Sequence, residues 1–273
     1  MEIGISTGIF HKENIFNHLE TIKNSGFEFI ELWADMAHFN YHDKFEIEKL
    51  KNALNDLSLK PVSMHAPFSY ELDLSNPDET KRKQAVFETL KTAEAIKLLN
   101  GDIVVTHPAT KPFANISDKK EKEIRTTQSK KSFYEVLQET EKLGIKLAIE
   151  NQLPHIYGNE PETLLDLLSI KKGNFIGICF DTSHASFSKN LTVREFLKKL
   201  GKNVITLHVS DSNKKMDEHL PPGWGLIDWE EFITTLREIN YSGIFMLEIL
   251  KEIPGKTIQE TFVAAKEFFK KFL

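Results

Sequence analysis

Hydrophobic positions along the chain fall into two patterns that alternate. Short, nearly continuous apolar and β-branched runs occur at 2–7 (EIGIST), 29–34 (FIELWA), 61–66 (PVSMHA) and 102–109 (DIVVTHPA). Four more follow at 146–151 (KLAIEN), 175–181 (FIGICFD), 204–211 (VITLHVSD) and 243–250 (GIFMLEIL). Between them apolar residues recur at three- and four-residue spacing. IFNHLETIKNSG, KRKQAVFETLKTAEAIKLLNG and KSFYEVLQETEKLG each close on a glycine suited to a helix C-terminus. LTVREFLKKLG, WEEFITTLREINYSG and TIQETFVAAKEFFKKFL continue the series. Strands that are apolar throughout, alternating with amphipathic helices, predict a parallel sheet covered by helices. Eight such units predict an α/β (βα)8 TIM barrel, as one domain over 1–273. The competing doubly wound sheet carries a glycine-rich phosphate turn after its first strand, and STGIFHK is not one.

The polar residues that end these runs carry the candidate chemistry. The third strand ends at His65, the fourth at His107, the fifth at Glu150, the sixth at Asp181, the seventh at His208 and the eighth at Glu248. In a barrel of this kind the active site is built at the C-terminal ends of the strands. A lone strand-end histidine or glutamate is commonly a structural hydrogen-bonding residue. Six around one mouth destabilise one another unless a cation joins them. The mixed imidazole and carboxylate set suits Zn2+, Mn2+, Co2+ or Fe2+. After the seventh strand, SDSNKKMDEHLPPGWGLIDW places Asp217 and His219 two residues apart, on the same side of an extended chain. With His184, three residues beyond Asp181, they form a further candidate three-ligand set.

Bulk composition narrows the picture. The chain of 273 residues is 40% hydrophobic and 27% charged, with net charge −5. That is ordinary globular composition, and the acidic balance speaks against affinity for nucleic acid through a basic face. Cys179 is the single cysteine. It has the strand parity of Asp181, which predicts a small core residue beneath the site, and no disulfide framework is possible. We expect a reducing, cytoplasmic setting, with no signal peptide in MEIGISTGIF and no membrane span. The lysine-rich stretch 110–131 reads as an irregular insertion whose lysines lie on a solvated loop or helix face. Phe10 and Trp33, at the ends of the first two strands, are candidates to wall the site and stack on substrate, with core packing as the alternative. Loop 37–43 (AHFNYHD) offers His38, Tyr41 and His42 either as a lid or as plain surface.

MHAPF (64–68), VVTHPA (104–109), IEN (149–151), FDTSH (180–184), LHVSD (207–211), DEHLPPGWGLIDW (217–229) and LEI (247–249) together resemble the xylose-isomerase-like TIM-barrel superfamily. The likeness covers nearly the whole chain. That superfamily holds sugar and sugar-phosphate isomerases and epimerases, and also the endonuclease IV family. The epimerase-type members imply one metal on Glu150, Asp181, His208 and Glu248. The endonuclease IV pattern implies three: one on His65, His107 and Glu150, a second on Glu150, Asp181, His208 and Glu248, and a third on His184, Asp217 and His219. All nine positions are filled. The turn HLPPGWGLIDW is similar to the isomerase and epimerase-like members, and Glu218 stands where the endonuclease pattern has arginine.

The resemblance therefore implies a sugar or sugar-phosphate isomerase or epimerase using Zn2+ or Mn2+, with Co2+ as an alternative, at one to three ions per chain. Glu150 and Glu248 would remove and return the α-proton through a metal-stabilised cis-enediolate. The alternatives are an endonuclease IV-like abasic-site endonuclease with trinuclear zinc, and a metal-dependent dehydratase of a sugar-like acid. Nucleic acid is a partner only under the first of these. Epimerases of free ketoses imply a substrate-binding arginine after the seventh strand. Lys214 and Lys215 stand there instead and, with the Gly255-Lys256-Thr257 turn, are candidates for a substrate phosphate.

Overall fold

Each apolar run forms a strand, and every strand lies inside its run to within one residue at the start. In the computed structural model, which describes residues 1–115, 118–171 and 173–272, the strands are β1 (Ile3–Ser6), β2 (Phe29–Trp33), β3 (Lys60–His65), β4 (Ile103–Thr106), β5 (Lys146–Glu150), β6 (Ile176–Asp181), β7 (Val204–His208) and β8 (Phe245–Leu247). They are parallel and hydrogen-bonded in the order β7-β6-β5-β4-β3-β2-β1-β8. The sheet closes just above β7, where Val209 N–H donates to Met246 (2.8 Å) and Glu248 N–H donates to Val209 (2.9 Å). The result is the expected TIM barrel.

The helices are α1 (Leu19–Asn24), α2 (Lys44–Asp56), α3 (Glu79–Leu98), α4 (Lys119–Leu143), α5 (Pro161–Leu168), α6 (Thr182–Ser186), α7 (Val193–Leu200), α8 (Trp229–Glu238) and α9 (Ile258–Lys270). The periodic patterns did not single out α2 or α5. The lysine-rich insertion is largely helix. Asp118 caps α4 by accepting from the N–H of Lys120 and Glu121, so this helix starts well before the KSFYEVLQ pattern. Its first half is anchored by a polar side: buried Arg125 donates to Asp73 and Ser75 (2.9 Å each), and Ser129 donates to the Pro108 carbonyl. Lys119, Lys120 and Lys122 remain exposed. Ile116 and Ser117 of that stretch lie outside the described residues. No helix among the described residues is long and apolar enough to cross a membrane.

One large apolar layer lies between strands and helices, and a smaller one fills the barrel itself: Val62, Ile103, Val105, Ala148, Cys179 and Ile205. Cys179 thus sits where its parity predicts, and burial pushes its thiol well above the ordinary range. Val62 and Ile205 are the extra residues at two register shifts. Between Ile30 and Glu31 the partner on β3 jumps from Pro61 to Ser63, and between Ile178 and Cys179 the partner on β7 jumps from Val204 to Thr206. Such bulges bend a strand and re-aim the side chains above them. Both strands then end on a candidate ligand, His65 and His208.

Candidate metal centre

The strand ends gather their polar side chains into one buried basin above the apolar filling. Glu150 occupies its middle. Its Oε2 lies 3.1 Å from His65 Nε2 and 3.3 Å from His107 Nε2, while its Oε1 lies 3.3 Å from His184 Nδ1 and 3.4 Å from His208 Nδ1. Glu248 Oε2 is 3.2 Å from His208 Nδ1 and 3.1 Å from His219 Nδ1. Asp217 reaches in from the loop after β7, 3.2 Å from both His184 Nε2 and His219 Nε2. All nine ligand candidates therefore meet.

Local structure fixes these positions. Asp181 ends β6 and caps α6 by accepting the His184 N–H (2.6 Å), which sets His184 one turn above it. Asn151 clamps β5 to β6 in both directions: its amide donates to the Asp181 carbonyl (3.0 Å) and its Oδ1 accepts from the Asp181 N–H (2.8 Å). The PPGWG turn is wrapped around the Asp211 carboxylate, which accepts from the N–H groups of Gly223 and Ile227 and from Trp229 Nε1. A Cβ at Gly225 would collide with that carboxylate. The loop so formed carries Asp217 and His219 back over the mouth. Asp211 has this anchoring role although its position at the end of the LHVSD run gave no sign of it.

Electrostatics shows what the basin lacks. Burial pushes Asp181 up to about 7, against the pull of His184 and His219. Burial acts the same way on Glu150 and Glu248, but the surrounding imidazoles, His208 foremost, outweigh it and hold both below the ordinary carboxylate range. Hydrogen bonds from His184 and His219 do so for Asp217. Burial opposes charge on His184, His208 and His219, yet the neighbouring carboxylates raise all three. His107, by contrast, is lowered by its burial.

The donor set fits a divalent ion. Glu150, Asp181, His208 and Glu248 each bring a donor atom within 4.8 Å of the others, as do His65, His107 and Glu150, and Asp181, His184 and His219. Asp181 Oδ2, His208 Nδ1 and Glu248 Oε2 are buried without a hydrogen-bond partner. Orphaned buried polar atoms are uncommon in folded proteins, and one cation would satisfy these three together.

Above the basin opens a cavity of about 280 Å3. His65, His107, Glu150, His184, Asp217, His219 and Glu248 face it, and Trp33, Phe68, Tyr70, Leu153, Ile156 and Leu250 wall it. Trp33 stands where expected, its Nε1 donating to Ser6 (3.0 Å) and its ring 5.1 Å from that of His65. Phe10 does not: it is core, stacked on His18 at 4.0 Å and edge-on to Phe262 at 6.0 Å. Strand β1 ends at Ser6, and the turn after it carries Phe10 outward into the helical shell. Lys214 and Lys215 are exposed on their turn and do not line the cavity. The Thr257 turn is already satisfied, since Glu260 accepts the Thr257 N–H (2.8 Å) in a capping box. The lid residues are also tied down. Tyr41 donates to Glu88 of α3 (2.6 Å), His42 Nε2 lies 2.8 Å from the same carboxylate, and His38 is fully buried.

A parallel eight-stranded barrel with a cavity over a buried cluster of imidazoles and carboxylates defines the class of protein. The particular family follows from comparison: the model of the xylose isomerase-like TIM barrel family matches residues 19–271, and the chain belongs to that family. Among relatives, an inosose isomerase of Bacillus licheniformis is 25% identical over 277 residues, covering 92% of this chain and 94% of its own. A probable endonuclease 4 of aster yellows witches'-broom phytoplasma is also 25% identical, over 98% of this chain and 92% of its own. The crystal structure of a D-tagatose 3-epimerase-like protein superposes with a TM-score of 0.85 at 27% identity, covering 100% of this chain and 97% of that one. That of an IOLI protein with a bound zinc atom has a TM-score of 0.82 at 21% identity, over 100% and 98%.

Proposed function

We propose that the protein is a divalent-metal-dependent isomerase or epimerase of an unphosphorylated sugar or keto-polyol. The observation that carries this reading is the buried four-donor set of Glu150, Asp181, His208 and Glu248 beneath an apolar-walled cavity. Among the described residues, no lysine or arginine lines that cavity, so it offers a phosphate no cationic partner. The names of the inosose isomerase and of the D-tagatose 3-epimerase-like structure support the reaction class, and the zinc of the IOLI structure supports the ion.

Glu150, Asp181, His208 and Glu248 would hold the ion, which when bound supplies a Lewis acid for the oxygens of a hydroxy-carbonyl substrate. Glu150 and Glu248 approach the cavity floor from β5 and β8, and so from different sides of the mouth. One takes the proton from the carbon next to the carbonyl, and the other returns a proton to the neighbouring carbon or to the opposite face. Trp33 and Phe68 wall the cavity with aromatic surface against which the carbon face of a sugar packs. The second reading, an abasic-site endonuclease, is favoured by the gathering of all nine ligand candidates and disfavoured by the absence, among the described residues, of lysine and arginine from the cavity lining.

The test combines metal content with proton exchange. Protein purified without chelator should retain divalent ion. Incubated with D-tagatose, D-fructose or an inosose in D2O, it should place deuterium on a carbon adjacent to the carbonyl. Glu248→Gln should lower that exchange by about 10²–10⁴-fold. A Glu248→Gln variant with unchanged metal content and exchange would refute the site. Three zinc ions per chain with cleavage of an abasic duplex would replace the isomerase by the endonuclease.

A further inference from the structure

One buried carboxylate in the barrel takes no part in the mechanism above. Glu31, in the middle of β2, is fully buried, across the barrel from β7. Its Oε2 accepts a hydrogen bond from Ser63 (2.7 Å), and its Oε1 lies 2.9 Å from His208 Nε2. Glu31 Oε1 and His208 Nε2 are both buried without an aligned hydrogen-bond partner, and each is the other's near polar neighbour. A buried carboxylate is costly unless a specific partner offsets the loss of water. Among the described residues no lysine or arginine pairs with Glu31, and its ion-pair neighbour is the His208 ring.

The geometry divides the two nitrogens of that ring. Nδ1 points to the four-donor set, 3.2 Å from Glu248 and 3.4 Å from Glu150, and Nε2 points away from it, to Glu31. A histidine that ligates a metal needs its outer nitrogen held as N–H, so that the inner lone pair is presented at a fixed angle. At His65 and His184 main-chain carbonyls take this place. His65 Nδ1 donates to Ala66 (2.7 Å), leaving Nε2 to face Glu150, and His184 Nδ1 lies 2.8 Å from the Asn151 carbonyl. At His208, the one imidazole of the four-donor set, the outer neighbour is a carboxylate instead.

The register shift explains how it gets there. The extra residue Val62 on β3 brings Ser63, rather than its neighbour, opposite Glu31. Ser63 occupies one carboxylate oxygen and leaves the other to His208. We infer that Glu31 is a positioning residue of this centre. It fixes the His208 ring with Nδ1 inward, adds negative charge behind the ion, and is itself aimed by Ser63. This rests on the metal-centre reading given above.

The experiment measures divalent-ion affinity rather than turnover. Wild type, Glu31→Gln and Ser63→Ala are stripped of metal, checked for folding by thermal melt, and titrated with Co2+ and Zn2+ against a chelator of known affinity. Glu31→Gln should bind roughly 10–100-fold more weakly, with a shifted visible Co2+ band. Ser63→Ala, which frees Glu31 without removing it, should weaken binding by roughly 2- to 10-fold. A purely structural role for Glu31 would lower the melting temperature while leaving the Co2+ band and affinity of the folded protein unchanged, and that result overturns the inference. If Glu31→Gln does not fold, Ser63→Ala decides, and affinity within measurement error of wild type overturns it. Wild type that takes up neither ion removes the metal-centre reading and this inference with it. Wild type that binds, beside variants that bind equally well, removes only the inference.

Discussion

Two fully buried histidines in this barrel have met opposite fates. His38, after β2, is saturated by protein: Nδ1 donates to the carbonyls of Phe10 (3.0 Å) and Glu13 (2.9 Å), and Nε2 accepts from the Thr7 hydroxyl (3.0 Å). His208, at the end of β7, sits among carboxylates, yet neither ring nitrogen has an aligned hydrogen-bond partner. Both are 0% exposed, so burial does not distinguish them. Satisfaction does. The first ring pins the turns after β1 and β2 to each other, and the second belongs to the four-donor set with Glu150, Asp181 and Glu248.

On the proposed metal-centre reading, the strongest way to break that comparison is to remove the ion. With ion at a thousand times its dissociation constant, binding adds about 4 kcal/mol to the native state, so stripping should lower Tm by on the order of 10 °C. The stripped protein should also lose stability in base. His184, His208 and His219 have folded values raised above the ordinary 6.5. Their protonation therefore stabilises fully below 6.5 and ceases to do so as pH rises through the folded values. Asp181, raised from 3.8 to about 7, adds a penalty that grows between those two values. Melting of stripped protein at pH 6 and at pH 9 should show the lower Tm at pH 9. Loaded protein should show the reverse tendency in acid, where protons displace the ion.

A somewhat smaller effect belongs to the saturated histidine. His38→Ala should cost about 2–4 kcal/mol in urea unfolding, from lost packing and three stranded polar groups, with metal affinity unchanged. Burial lowers the His38 value, so its contribution is present above 6.5 and lost as pH falls through the folded value, opposite in sign to the basin. A loss of metal affinity in His38→Ala would erase the distinction between the two regions. The smallest effect is expected at the rim. Lys214→Ala with Lys215→Ala should leave kcat/KM within about twofold, because neither side chain lines the cavity. A tenfold rise in KM would restore the phosphate-binding role that their sequence position suggests.

Much of this was legible before any coordinates. The eight strands and the ligand candidates at their ends follow from local apolar runs and from a two-residue side-chain period, both of which survive translation into any parallel barrel. Cys179 was placed by the same parity. The reading went astray where the chain leaves that period. Phe10 and His38 follow strands in sequence but turn outward or downward in space. The lysine-rich stretch, expected as an irregular insertion with its lysines on a loop or helix face, is mostly helix, and its inner side is polar, with Arg125 and Ser129 in place of apolar residues. Glu31 was passed over as an ordinary strand residue in FIELWA.

The sequence by itself determined which residues carry donor atoms and that six of them end consecutive strands, since both facts depend only on neighbours along the chain. The tertiary structure alone decided which nitrogen of each histidine faces inward, which carboxylates share a ring, and that Glu31 stands behind His208. Those relations cross the barrel, from β2 to β7 and from β5 to β8, and two register shifts set their angle. Closure of the sheet, and not the order of residues within a strand, brings Glu31 to 2.9 Å from His208 and Glu150 and Glu248 to the same ring.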